Sequence, residues 1–193
     1  MKIFWLVSGL ILLLMASADV VEAETGQRWC EVTDDYIVVD DKLFNYVKSF
    51  TKNKGKRHFL YTVAMVESRM NPYSQRGSSG EFGMMQVMPK TGEFLERLKK
   101  QKLDVSTVKD NVYAALFYLD FILEKINKHC PGNMSLDFKV QMAAAAYNGG
   151  AGHLSKGCSL ESYNALARGY SRKFLKYWNR KYISRSSYEK QNR

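Results

Sequence analysis

The chain has 193 residues, with 29 Lys and Arg against 19 Asp and Glu, a formal charge of +10. That length fits one domain able to bury a proper core, and there are no internal repeats. No two cysteines or histidines stand at zinc-ligand spacing, which argues against a metal site, and nothing calls for a cofactor. The basic balance suits an anionic polymer or surface, although much of the charge falls on solvated helix faces.

Residues 1–23 read as a secretory signal: Lys2, an apolar run from Ile3 to Met15, then small residues. The run is shorter than the ~20 residues a bilayer span needs. Cleavage is expected after Ala23, with Ala18 as the alternative. Removal of Lys2, Asp19 and Glu22 leaves 28 basic and 17 acidic residues, so the exported chain is more basic still. A periplasmic or secreted location follows. Together with the lack of a recognisable motif, it disfavours nucleic acid as a partner. In an oxidising compartment three cysteines permit one disulfide and leave one over. Cys130 and Cys158 both sit at loop positions flanking an Ala-rich helix and are the favoured pair, though sequence leaves the connectivity open.

Residues 24–39 form an N-terminal segment in which VTDDYIVVD allows one short strand. From Asp40 the pattern is helical almost throughout. Leu43, Phe44, Val47 and Phe50 make one apolar stripe, and a basic turn from Lys52 to Arg57, with Gly55 as its stop, follows. The next helix sets Leu60, Val63, Ala64 and Glu67 at i, i+3, i+4 and i+7, so a carboxylate continues an apolar face. Asn71-Pro72 ends this helix, because the residue before a proline is pushed out of the α region. Glu67 therefore lies in the last turn, facing inward. Burial penalises its charged form, and the negative end of the helix dipole repels an anion. Both favour the protonated acid, which is what a general acid requires. A core-edge glutamate paired with Lys or Arg would give the same periodicity.

Gly77, Gly80 and Gly83 then punctuate a polar loop before an apolar restart, Gly83 to Pro89. Glycines suit a backbone that must approach something closely, such as a cleft wall beside Glu67. After Pro89 a helix buries Phe94, Leu95 and Leu98. Asp110 can cap the longest helix, Asn111 to about Lys128, with Val112, Ala115, Leu116, Leu119, Leu123 and Ile126 inward. Ser135 or Asp137 starts a helix whose Ala143–Ala146 run lets two helices pack closely, and which ends in Tyr147, Asn148 and a Gly-Gly stop. Asn148 reads equally as a helix cap beside Gly149. A last helix, Tyr170 to Tyr182, buries Tyr170, Phe174, Trp178 and Tyr182. Residues 183–193 make a polar tail with the composition of a disordered segment.

Four of these motifs, in order, resemble the soluble-type lytic transglycosylases of the bacterial cell wall: Glu67-Ser68, Gly83-Met84-Met85-Gln86, Ala146-Tyr147-Asn148 and Tyr170. Asn111 and Leu119 resemble a further segment of that family. The resemblance covers residues 40–182 and implies a mainly α, lysozyme-like (goose-type) single domain with at most a minor strand. It implies cleavage of the MurNAc–GlcNAc β-1,4 bond of peptidoglycan with Glu67 as general acid and base. Ser68, Met85, Gln86, Tyr147, Asn148 and Tyr170 are then expected around the substrate, with Gln86 or Asn148 on an N-acetyl group and the Tyr170 hydroxyl near the acid. A supporting serine falls on Ser78 or Ser79, because the loop is one residue longer than the family's. Glu81 stands where the family has a small residue, and is either an innocuous exposed charge or a second carboxylate near the site. With no large extra domain the chain is similar to small specialised transglycosylases of secretion, conjugation or pilus machines, and is expected to act as a monomer. Two other readings fit these residues: a hydrolytic muramidase, and a non-catalytic wall-binding component of an envelope machine.

Overall fold

The computed structural model describes residues 28–74 and 80–193. The expected signal segment, with Ala18 and Ala23, and the loop serines Ser78 and Ser79 lie outside the described residues. The fold is mainly α and is built around one helix, α2 (Lys54–Ser68), whose residues Phe59 to Val66 are all buried. A helix covered on every face must lie inside the domain. Asn53 caps it, accepting from the Lys56 N–H at 3.0 Å. The cap starts the helix before Gly55, which sits in its first turn instead of ending a basic loop.

α1 (Asp41–Ser49) lies against α2 through Leu43 and Val47, and Phe44 stacks on Tyr61 at 5.1 Å between ring centres. α3 (Pro89–Lys99) opens with proline at its first turn and packs on the long α4 (Val108–His129). With α4 covering a narrow stripe of it, α3 buries Leu95 and leaves Leu98 47% exposed, against expectation. Thr107, not Asp110, caps α4. Most of the expected inward positions are buried, with Leu123 only half-covered and Ile122 fully inside.

α5 (Leu136–Gly149), capped by Ser135, runs between α4 and α6 (Ala165–Trp178). Its small residues let the helices close: a Cβ on Gly149 would stand 2.7 Å from that of Ala167. A 3-10 turn, Ala151–Lys156, follows α5. Cys130 and Cys158, 5.3 Å apart at Cα, form a disulfide across α5 and this turn. Cys30 is a free thiol, pushed up to about 11 by burial and donating to the Arg69 carbonyl at 3.3 Å.

The sheet has three short strands where one was expected. β1 (Cys30–Val32) pairs antiparallel with β2 (Tyr36–Val39), and β2 pairs parallel with β3 (Lys181–Ser184). Tyr182 thus belongs to β3, and α6 begins before Tyr170 and stops at Trp178. Strands of three and four residues carry too little alternation to be read from sequence. The register Val39↔Ser184 brings two chain segments out side by side, one into α1 and the other into α7 (Arg185–Gln191). Asp41 accepts hydrogen bonds from the Ser186 N–H and hydroxyl, so the expected polar tail is a capped helix packed at the sheet. No helix among the described residues is long and apolar enough to cross a membrane.

Candidate active site

The site forms where α2 ends. Arg69 and Met70 both take positive φ, and the Met70 N–H reaches back to the Ala64 carbonyl at 3.0 Å. This left-handed stop ends the helix at Ser68, ahead of Asn71-Pro72. Glu67 keeps its place in the last turn, and its carboxyl has no hydrogen bond of ordinary geometry among the described residues. Burial pushes its pKa from 4.5 up to about 7. The Tyr170 hydroxyl and the Lys173 ammonium, both from α6, pull the other way, and Glu81 adds to the rise. The carboxyl is therefore substantially protonated near neutral pH, as a proton donor must be.

The loop after Gly80 makes the adjoining wall. Phe82 and Val87 exchange backbone hydrogen bonds at 3.3 and 3.1 Å, closing a tight turn over Gly83 to Gln86. Gly83 has φ +71°, and any Cβ there would strike the Asn111 side chain at 2.7–2.8 Å. The turn is held from below. Asn111, fully buried at the start of α4, accepts from the Met85 N–H at 2.8 Å and donates to the Phe82 and Val105 carbonyls at 2.8 and 3.0 Å. The Ser68 hydroxyl donates to the Met84 carbonyl at 2.9 Å, and the Tyr147 hydroxyl to the Met85 carbonyl at 2.9 Å. Three elements, α2, α4 and α5, thus fix one turn. Each bridging group is a buried polar atom with a partner, the arrangement in which a hydrogen bond adds both stability and position.

The structure sorts the expected site residues into two groups. Ser68, Met85 and Tyr147 point into the protein: Ser68 and Met85 are buried, and the Tyr147 phenol is committed to a carbonyl and held protonated by burial and by Glu67. They brace the wall. Gln86, Asn148 and Tyr170 remain near open space or the acid. Gln86 has φ +46° and donates its amide to the Gly83 carbonyl at 2.7 Å, leaving its side-chain oxygen for other partners. Asn148 is exposed. The Tyr170 hydroxyl is buried without a partner of ordinary geometry, within electrostatic reach of Glu67, which helps push its pKa well up after burial itself.

Two recesses continue from the turn. One of about 30 Å³ is lined by Gln86, Val87, Met88, Thr91, Tyr118 and Tyr147. The other, of about 290 Å³, shares Thr91 and Tyr118 and extends past Lys90, Phe94, Phe121 and Gly152. Tyr118 joins them: its hydroxyl donates to the Ala146 carbonyl and accepts from the Ala151 N–H. Sequence reasoning assigned no site role to Asn111, Tyr118 or Lys173. An asparagine continuing an apolar helix face was the available signal for the first, and the other two look like ordinary core-edge and surface residues. No cluster of His, Cys, Asp and Glu suited to a metal occurs among the described residues.

A buried acid at a helix C-terminus, a braced glycine turn and an adjoining groove stand together in a mainly α, lysozyme-like fold. The chain belongs to the transglycosylase SLT domain family, whose sequence model matches residues 45–166. No curated protein sequence matches the chain. Among solved structures it is similar to the 70 kDa soluble lytic transglycosylase of Escherichia coli, with 22% identity and TM-score 0.51 over 72% of this chain and 23% of that one. The complex of the 70 kDa soluble lytic transglycosylase with bulgecin A gives 22% identity and TM-score 0.53 over the same shares. An inactive mutant of the lytic transglycosylase Slt of Pseudomonas aeruginosa gives 17% identity and TM-score 0.51, covering 71% of this chain and 23% of that one. At these identities the likeness is one of fold, and this chain spans under a quarter of those proteins.

Proposed function

We propose that the chain is a peptidoglycan lytic transglycosylase that cleaves the MurNAc–GlcNAc β-1,4 bond and leaves 1,6-anhydroMurNAc. The observation that carries this reading is Glu67, a carboxyl held protonated by burial beside a braced turn. The protonated acid gives its proton to the glycosidic oxygen as the bond to C1 of MurNAc breaks, releasing GlcNAc with a free 4-hydroxyl. Glu67, now a carboxylate, takes the proton of the MurNAc C6 hydroxyl as O6 bonds to C1. The proton is returned to Glu67 and no water is consumed. The attack is intramolecular and gains from proximity, so no activated water is needed. The side-chain oxygen of Gln86 and the exposed amide of Asn148 are suited to the N-acetyl group and hydroxyls of the sugars.

Export by the N-terminal segment, a periplasmic or secreted location and monomeric action on glycan strands complete the proposal. Service to an envelope-spanning secretion, conjugation or pilus machine rests on the resemblance. One observation favours a second reading, a hydrolytic muramidase: Glu81 lies close enough to raise the Glu67 pKa. Hydrolysis needs a second carboxylate, about 5–5.5 Å away as a nucleophile or about 6.5–9.5 Å away as a base for water. Digestion of purified peptidoglycan in ¹⁸O water, followed by mass spectrometry, separates the two. Anhydro ends without ¹⁸O are expected, and reducing-end MurNAc carrying ¹⁸O as the main product would replace the transglycosylase by the hydrolase.

A further inference from the structure

The last carbonyls of a helix have no partner within it and must find one elsewhere. At the end of α2 the Ala64 carbonyl takes the Met70 N–H, the Met65 carbonyl takes the Arg69 N–H at 3.3 Å, and the Ser68 carbonyl takes the Asn71 N–H at 3.1 Å. The Val66 carbonyl is met from another helix. The Lys173 ammonium, 107 residues away on α6, donates to it at 3.2 Å. α2 has no basic residue in its own last turn, so Lys173 also brings the cation that the negative end of a helix favours. That carbonyl belongs to the peptide unit joining Val66 to Glu67. The hydrogen bond therefore places a positive charge next to the residue that carries the acid. Tyr170 and Lys173 stand at i and i+3, on one side of α6. Beside them Phe174 packs on Phe59 of α2, with 4.7 Å between ring centres. The groups that act on Glu67 are Tyr170 and Lys173 from α6, Tyr147 from α5 and Glu81 from the loop, and Lys173 is the cation among them.

Resting on the transglycosylase reading, we propose that Lys173 is a positioning residue for the reaction: bound to the Val66 carbonyl, its ammonium fixes the last turn of α2 against α6 and balances the charge of Glu67 once the carboxyl has given up its proton. In this role Lys173 acts through Val66 and Glu67, makes no covalent bond and moves no proton. The same carboxyl must be an acid first and a base second. Burial alone favours the acid and would leave the carboxylate of the second stage without compensation. A cation fixed at the end of α2 works against burial, so one group can serve in both directions near neutral pH. The same contact sets α6, and with it the Tyr170 hydroxyl, against the end of α2.

The test uses the full mature chain on purified peptidoglycan, with Lys173→Met and Lys173→Arg as variants. Lys173→Met keeps the stem and removes both charge and donor. It is expected to lower kcat by about 10- to 10²-fold, the scale of a small misplacement at the reacting group, with KM little changed. The basic limb of its pH profile should move to higher pH, because a cation that favours the carboxylate is gone. ¹³C NMR titration of Glu67 should move the same way without any substrate. A helix end that was merely loosened would do the opposite: water would enter, burial would weaken, and the limb would move to lower pH. Lys173→Arg should restore most of kcat and the original limb. Thermal melts check folding, and Lys173→Gln, which keeps a donor without the charge, is read in the same way if Lys173→Met does not fold. A limb and a Glu67 titration that stay in place or move to lower pH overturn the proposal and leave the transglycosylase standing. A wild-type chain that releases no fragments from the wall defeats the function and this role with it.

Discussion

Two carboxylates at helix ends, Asp41 and Glu67, show how differently the two ends of this molecule treat the same chemical group. Asp41 stands in the first turn of α1, at the positive end of the helix dipole, and accepts from the N–H and hydroxyl of Ser186. Those hydrogen bonds, led by the Ser186 hydroxyl, hold its pKa below the ordinary value of 3.8. Glu67 stands in the last turn of α2, at the negative end, and burial raises it from 4.5 to about 7 although the Tyr170 hydroxyl and Lys173 pull the other way. Near the sheet a carboxylate is satisfied and fixes two helices. In the cleft one is buried, and burial keeps its proton on it near neutral pH. The difference teaches that the site is defined less by which residue types are present than by how deeply the fold buries them.

The sharpest way to break the comparison is Glu67→Gln. The amide is nearly isosteric and cannot serve as an acid, so wall cleavage should fall by at least ~10²-fold while helicity is kept. The same variant reports on stability. The folded pKa of Glu67 is above its unfolded value. Its favourable contribution is therefore fully present below about pH 4.5 and lost as pH rises through about 7. A shift of that size corresponds to about 3 kcal/mol at most, reached on the alkaline side. Urea unfolding should show Glu67→Gln gaining on wild type as pH rises from 4 to 9, and an equal difference at both ends would contradict the raised pKa. Asn111→Ala attacks the brace rather than the acid. It leaves the Met85 N–H and the Val105 carbonyl without their partner and takes one of two donors from the Phe82 carbonyl, a loss of about 2–3 kcal/mol. Cleavage should fall with it because the turn loses its register, and unchanged stability would mean that the turn is held by Ser68 and Tyr147 alone.

Much of this was legible in the sequence, and the reasons differ by residue. The place of Glu67 follows from local rules, a 3.6-residue stripe and a helix stop, and both survive folding even though the stop is left-handed Arg69-Met70 and not Pro72. The close packing of Ala143–Ala146 also follows from size alone. What could not be read depends on partners distant in the chain. Asn111 looks like a residue near a helix cap until the Gly83–Gln86 turn lies over it, 26 residues away for the Met85 bond. Glu81 was visible as a departure from the family pattern, but sequence alone could not show that it adds to the rise of the Glu67 pKa. The C-terminal helix was missed for the same reason. Nothing in residues 185–191 outweighs their polar composition, and the decisive contact to Asp41 spans 145 residues.

That contact supplies the smallest expected effect and the counterpart to Glu67. Asp41 has a folded pKa below its unfolded value, so its contribution is present above about pH 3.8 and is lost as pH falls through the folded value. The group is largely in solvent, and screening keeps the contribution under about 1 kcal/mol despite three hydrogen bonds and a favourable helix end. Asp41→Asn should therefore destabilise the chain slightly at neutral pH and not at all near pH 2, a dependence opposite in sign to that of Glu67. The amide can still accept from Ser186 through its oxygen, so what the variant removes is mainly charge. The N–H groups in the first turn of α7 lose an anion at their positive end, and hydrogen exchange there should quicken while α2 is unaffected. Raising the salt concentration should erase much of the difference between wild type and variant. If Asp41→Asn instead cost as much near pH 2 as at pH 7, the bond to Ser186 would be holding α7 by shape and not by charge, and the contrast with Glu67 would reduce to burial alone.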